Sequence, residues 1–274
     1  MPTEITEQEL AEIGAVIKKF RDIDICSRKN DCIKRRIAVR MRITNCPDTH
    51  GYYTLLHQNG PELDLLIKTL TIHVSQFFRN PSLFEKLKTE VFPDIFATAH
   101  NTGREPLRFY SLGCANGEEP YSLAILLKED FAPQLQQIET NIVAVDVDSH
   151  TLQAAQSAEF TEDRLKNIPD KLRHSYFKQN GSVFKLVAGI CQMVSFMQAD
   201  ITVNLKLEPA DLILCRNTLI YFTRPAQEMI LNHIVDLLSV GGVLVLGKSE
   251  TMVGSLRNRF EPICRVERIY RKLF

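Results

Sequence analysis

The stretch LRFYSLGCANGEEPYSLAILL, residues 107–127, constrains the fold of this chain more than any other. Leu107 to Leu112 is an apolar, aromatic-rich run of strand length. Gly113 breaks it, and a tight loop runs on to Gly117. Pro120 then falls in the first turn of a helix, where a missing N–H leaves no bond unmade. Tyr121, Ala124, Ile125 and Leu127 give that helix its apolar face. Strand, glycine loop and helix in this order predict an α/β fold that holds a nucleotide-like ligand at its strand ends. The pattern is G-x-x-x-G, with Ala115 where a fingerprint glycine would stand, so the glycines alone also fit a βα turn with no ligand.

Two further features bear on that choice. The next predicted strand, Ile142 to Val145, ends in Asp146, with Asp148 close behind. A carboxylate at that strand end suits the two hydroxyls of a ribose. Glu118 and Glu119 stand at the helix start, where a phosphate would otherwise bind. Two carboxylates there repel a pyrophosphate and suit a cationic, phosphate-free ligand such as S-adenosylmethionine. A favourable interaction with the helix dipole explains the same two residues equally well.

Composition excludes more than it selects. The 274 residues carry 33 Lys and Arg against 33 Asp and Glu, so no global field points to nucleic acid or a membrane surface. The seven cysteines are scattered and contain no C-x-x-C pair, which reads as reduced thiols in a cytosol rather than a disulfide frame or metal site. Cys114 lies in the glycine loop, but nothing beside it marks a nucleophile. The acidic, mixed N-terminus is not a signal peptide. No apolar run approaches the ~20 residues of a membrane span. A cytoplasmic protein without membrane insertion and without a metal is expected.

Taken in order, residues 1–70 predict an all-helical domain. Thr6 and Glu9 have capping-box spacing ahead of Leu10, Ile13, Ile17 and Phe20. Asp31 to Arg42 predicts a second helix with Ile33, Ile37 and Met41 in one stripe. That helix is basic, with Arg35, Arg36, Arg40 and Arg42 toward its end. It reads either as a solvated face or as a docking patch for an acidic partner. Tyr52 to His57 and Leu63 to Leu70 add two short helices. Residues 71–80 form a linker, in which Arg79 follows two phenylalanines. Arg79 suits either an anion-binding position or a plain surface charge at a helix cap.

The remaining residues, 81–274, predict the α/β domain. Ser82 to Phe96 reads as one amphipathic helix and Ala97 to Pro106 as a polar loop. Ser149 to Ala158 is a helix. A β-rich insertion at about 160–192 carries Asn180-Gly181 as a hairpin turn. Val194 to Gln198 and Asp211 to Cys215 are core strands, and Pro225 to Ser239 is a helix closed by Gly241-Gly242. Val243 to Leu246 is a fifth strand, and Cys264 to Tyr270 a late edge strand.

The segments VSQFFRNPSLF, GCANGEEPYSLAI, AVDVDSHTL and LILCRNTLIYF, in this order and spacing, strongly resemble the chemotaxis receptor methyltransferases of the CheR family. GGVLVLGKSE is similar to a late strand and loop of the same family, and the similarity spans nearly the whole chain. The resemblance implies a doubly wound class I S-adenosylmethionine-dependent methyltransferase fold with a small β insertion, preceded by an all-α domain. It implies a protein-glutamate O-methyltransferase that modifies the cytoplasmic helices of chemoreceptors in chemotaxis signalling and releases S-adenosylhomocysteine. By the same resemblance, Gly113, Glu119, Asp146, Asp200, Ile201, Arg216 and Asn217 occupy cofactor positions. Ser75 and Arg79 are linker residues reaching the cofactor, and Arg79 and Tyr221 are the residues near the transferred methyl. His73 also occupies a cofactor position, where the family usually has Asn. Lys248, where the family often has His, receives no role.

The residue types agree with that chemistry. A glutamate side chain, with a reference pKa of about 4.3, is already ionised at neutral pH and needs no general base. The absence of a Ser-His-Asp or Cys-His constellation is therefore expected. The enzyme must instead align carboxylate, methyl and sulfur and exclude water. The resemblance also gives the basic helix a use, with Arg35, Arg36, Arg40 and Arg42 steering the acidic receptor segment. Because the insertion's hairpin loop is short, docking independent of a receptor C-terminal pentapeptide is expected. The alternative substrate is a non-chemosensory signalling protein. A nucleic-acid substrate is disfavoured by the zero net charge and the lack of stacking aromatics among the basic residues.

Overall fold

A computed structural model describes residues 5–71 and 75–274. The chain divides into two compact units, Met1–Ile72 with Tyr221–Met229, and His73–Ile220 with Ile230–Phe274.

The first unit holds α1 (Glu7–Arg21), α2 (Asn30–Ile43), α3 (Thr49–Gln58) and α4 (Gly60–Leu70). The predicted capping box opens α1, with the Thr6 hydroxyl accepting from the Glu9 amide and the Glu9 carboxylate accepting from the Thr6 amide. Leu10, Ile13 and Ile17 are buried, whereas Phe20 is 42% exposed and lies outside the core. Asp48 and Asn59 cap α3 and α4 through their side chains. Ile33, Ile37 and Met41 of α2 turn inward as their spacing requires. The 221–223 backbone pairs with the turn before α2. Lys29 N–H donates to the Tyr221 carbonyl (3.0 Å), and Thr223 N–H to that of Ser27 (2.9 Å). The Arg28 guanidinium covers the Phe222 ring at 5.3 Å.

The second unit opens with α5 (Pro81–Lys86) and α6 (Phe92–Thr102). The single predicted helix is thus interrupted, by a π-helical turn at Leu87–Val91. Pro93 lacks the amide that an α-helix would use there, and its ring crowds the preceding turn. The predicted polar loop after Phe96 is instead helix up to Thr102, closed by left-handed Gly103. β1 (Leu107–Leu112), α7 (Glu118–Asp130), α8 (Ala132–Gln137), β2 (Thr140–Asp146) and α9 (Ser149–Ser157) follow.

The insertion comprises β3 (Glu159–Thr161), α10 (Asp170–Tyr176), β4 (Phe177–Asn180), β5 (Val183–Leu186) and α11 (Ala188–Cys191). Its strands form a separate antiparallel sheet in the order β3-β5-β4, turning at left-handed Gly181. The chain then completes the main sheet with β6 (Val194–Gln198), β7 (Ala210–Cys215), α12 (Arg224–Leu237), β8 (Leu238–Leu246), β9 (Phe260–Cys264) and β10 (Ile269–Lys272).

The main sheet runs β6-β2-β1-β7-β8-β10-β9. The first five strands are parallel, and β10 is antiparallel to both neighbours. The predicted edge strand over Cys264 to Tyr270 is therefore two strands, because the chain reverses at left-handed Arg268. Strand order reverses between β1 and β7. That switch point opens a crevice outside their carboxyl ends, where α/β sheets bind ligands. The doubly wound sheet, the β insertion and the preceding helices match the fold expected from sequence.

Candidate active site

The crevice begins with the loop after β1. Gly113 (φ +76°) and Gly117 (φ +90°) both take left-handed backbone. A Cβ on Gly113 would lie 2.3 Å from the Thr218 hydroxyl, so glycine lets the β1 and β7 loops meet. The Gly113 and Cys114 amides donate to the Val145 carbonyl at 2.8 and 3.0 Å. The Ala115 amide donates to the Asp146 carboxylate at 2.9 Å, and so does that of Asp148 at 3.1 Å. Asp146 thus fixes the glycine loop to the end of β2. Asp148 caps α9, its carboxylate accepting from the His150 amide at 2.9 Å. Cys114 is buried, and burial, helped by the nearby Asp146 and Glu119 carboxylates, pushes its thiol well up. Such burial suits a structural thiol rather than a nucleophile.

Glu119 lies under the crevice. Its carboxylate accepts from the Ser111 hydroxyl and from Arg216 Nη1, each at 2.8 Å. The second arm of Arg216 donates to the Arg79 carbonyl and to Asn80 Oδ1, both at 2.8 Å. One buried guanidinium therefore joins β1, α7, the β7 loop and the linker. Phe78 (φ +49°) and Asn80 (φ +65°) are both left-handed, so Arg79 sits between two strained residues, the kind of backbone that gathers at working sites.

The linker is held from the other side by the insertion. Arg164 Nη1 donates to the Ser75 carbonyl at 2.7 Å and lies 3.3 Å from Glu118. Phe77 packs edge-on against Phe160 and Phe177. Both helix-start glutamates therefore face a guanidinium. The charge repulsion expected from them in the sequence is largely cancelled and does not select the ligand.

Beyond β6, the Asp200 carboxylate accepts from the Thr202 amide at 2.9 Å, and Ile201 is buried beside it. After β7, Asn217 is left-handed (φ +56°). The amides of Asn217, Thr218 and Leu219 all donate to Glu250, at 3.0, 2.8 and 2.7 Å. Successive amides in such a turn form a cradle for an anion. An internal carboxylate fills this one, so the three amides are not offered to a phosphate, which agrees with a phosphate-free ligand.

Residues 8–71 match the family described as CheR methyltransferase, all-alpha domain, and residues 73–268 match CheR methyltransferase, SAM binding domain. This chain belongs to the CheR methyltransferase family. Chemotaxis protein methyltransferase 2 of Vibrio cholerae is 36% identical over 243 residues, covering 86% of this chain and 81% of that one. The chemotaxis protein methyltransferase of Listeria monocytogenes is 28% identical, covering 90% and 91%. The chain is thus a methyltransferase of the CheR family, with S-adenosylmethionine as its cofactor.

In this CheR protein, Gly113, Asp146, Asp200, Ile201, Arg216 and Asn217 stand at the carboxyl ends of the parallel strands or on the loops that leave them, and Glu119 stands in the first turn of α7. The Ser75 carbonyl accepts from Arg164 and the Arg79 carbonyl from Arg216. His73 lies outside the described residues. Tyr221 belongs to the compact unit that contains the helices, with its carbonyl bonded to Lys29.

The basic helix needs a correction. Arg40 is turned inside, 9% exposed, and grips Glu62 through Nε (3.0 Å) and Nη2 (2.5 Å). It cannot meet a partner there. Arg36 is partly buried and donates to the Thr69 carbonyl, while Arg35 and Arg42 are exposed. Sequence reasoning also missed Glu250, Asn80 and Arg164. Each acts on a partner remote in sequence, and only the cap-like Asn80-Pro81 pair carried a local signal.

Among the described residues, no cluster of His, Cys, Asp and Glu could hold a metal ion, and no helix is long and apolar enough to cross a membrane.

Proposed function

We propose that this methyltransferase esterifies glutamate side chains on the cytoplasmic helices of a chemoreceptor, as the adaptation step of chemotaxis signalling in the cytoplasm. The observation that carries the reading is the Arg216 hub. It ties Glu119 at the start of α7 to the backbone of Arg79, whose two neighbours are both left-handed. The relatives' description as chemotaxis methyltransferases supports the pathway.

The bound donor supplies an electrophilic methyl group on a sulfonium. Everything else is positioning. Gly113, Glu119, Asp146, Asp200, Ile201, Arg216 and Asn217 would hold the donor, with Ser75 and Arg79 contributing from the linker. The Arg79 side chain pairs with the substrate carboxylate, and the Tyr221 hydroxyl orients it. An ionised glutamate attacks without a base, so no proton needs moving. Exposed Arg35 and Arg42 attract the acidic receptor segment. The two-residue turn between β4 and β5 offers little docking surface, so receptor recognition proceeds without a pentapeptide tether.

The test uses tritiated S-adenosylmethionine and candidate receptor cytoplasmic fragments. Label released as methanol by mild base identifies a carboxyl methyl ester. Base-stable label, or none on any receptor fragment, refutes the reading. Micromolar calorimetric binding of an isolated receptor pentapeptide refutes the tether-free docking alone.

A further inference from the structure

Glu250 is 4% exposed and follows β8 in the sequence GKSE. Its Oε1 accepts from the Thr218 and Leu219 amides, and its Oε2 from those of Asn217 (3.0 Å) and Gly247 (2.6 Å). Four backbone donors thus converge on one side chain, and both oxygens are filled. Three of the donors are consecutive and follow Arg216, the hub of the donor site. The fourth closes the clamp onto its own strand end.

The approach is tight. A Cβ on Gly247 would fall 2.7 Å from Glu250 Oε2 and 2.8 Å from the Asn217 amide, so a side chain there forces the clamp open. On the far side of the turn, Thr218 rests against Gly113 of the glycine loop, closer than any Cβ would allow. The turn therefore packs directly against the glycine loop on one side and against Gly247 at the end of β8 on the other. Burial pushes the Glu250 carboxyl up from its ordinary value, against the lowering effect of the four amides.

We infer that Glu250 is the positioning residue of the donor site, setting the Arg216–Leu219 turn through its backbone so that methyl-donor affinity depends on it. The inference rests on the reading of the crevice as the donor site. A general stabiliser would lower the melting temperature and leave affinity in the folded protein unchanged. A positioning residue changes affinity well below melting.

The experiment titrates S-adenosylhomocysteine into the full chain by calorimetry, for the parent protein, Glu250→Gln and Glu250→Asp. The amide of Gln presents N–H to amides that need an acceptor. Asp is too short to reach all four. Affinity is expected to fall at least about tenfold in Glu250→Gln and by less in Glu250→Asp. Hydrogen exchange on the parent protein gives an independent readout that no folding failure removes. The Asn217, Thr218, Leu219 and Gly247 amides are expected to be protected without ligand. Parent-like affinity in folded Glu250→Gln, or coil-like exchange at those four amides, overturns the inference and leaves the donor-site reading standing. A parent protein that binds no S-adenosylhomocysteine overturns both.

Discussion

The helical unit and the α/β unit each bury an arginine against a glutamate, and the two pairs are wired differently. Arg40 meets Glu62 as a two-pronged fork, with the Tyr52 hydroxyl on the same carboxylate at 2.8 Å. Its partners lie on α3 and α4, all regular helix. Arg216 gives only one arm to Glu119 and spends the other on a carbonyl and an amide of the linker. Its partners lie at a helix start and on irregular backbone. The first pair is closed on itself and locks helices together. The second is divided among elements that must be brought to one place, which is what a site requires.

The largest effect follows from removing each arginine. Both pairs are buried, Arg216 and Glu119 with side chains 3% and 13% exposed, and Arg40 and Glu62 with 10% and 5%. Replacing either arginine by Met leaves a buried carboxylate unpaired, at about 3–5 kcal/mol. Urea unfolding should show that loss in Arg216→Met and Arg40→Met alike. Only Arg216→Met should also lose S-adenosylhomocysteine binding when folded. Restoring stability with an apolar partner sharpens the contrast, since Arg40→Met with Glu62→Leu should recover most of the loss. If Arg40→Met weakened binding as much as Arg216→Met, the distinction between the two pairs would be false.

A smaller effect belongs to the groups proposed to touch substrate. Arg79→Ala should lower turnover about 100-fold, the scale of one lost electrostatic contact in a transition state. Arg79→Lys should recover only part of it, because an ammonium does not reproduce the planar fork. Tyr221→Phe removes one hydrogen bond and should cost roughly tenfold. Equal turnover in the parent and Arg79→Ala at saturating donor would take Arg79 out of the reaction.

The same contrast explains what the sequence could reveal. Signals spaced over a few residues were legible: the Thr6 and Glu9 capping box, the Asn180-Gly181 turn, and the strand-loop-helix from Leu107 to Leu127. Each is a local hydrogen-bond or periodicity requirement that a short segment meets alone. Arg40 was not legible, because its direction is set by Glu62, 22 residues away on another helix. Nor was Glu250, which acts 31 to 33 residues back, or Arg164, which reaches Ser75 across 89. The family resemblance named cofactor positions, but it did not say which side chains hold those positions still. The break at Leu87–Val91 and the two-strand ending were missed for a related reason. Pro93 and Arg268 act through backbone geometry that apolar spacing does not report.

The smallest effect returns to the helical unit and separates the two kinds of arginine on α2. Arg35 and Arg42 lie seven positions apart on one exposed face, so a long acidic helix can meet both. Exposed charges contribute little to folding, so Arg35→Glu with Arg42→Glu should change stability by no more than about 0.5 kcal/mol. In the proposed role they supply long-range attraction, which salt screens beyond a Debye length of about 10 Å at 0.1 M. At low salt the double variant should raise the KM for a receptor fragment severalfold with kcat unchanged. Near 0.5 M salt, the parent and the variant should converge. Arg40 stands on the same helix and should show the opposite pattern, with a large stability loss and no salt-dependent KM. A double variant whose KM at low salt equals the parent's would mean that α2's exposed charge is an ordinary solvated face.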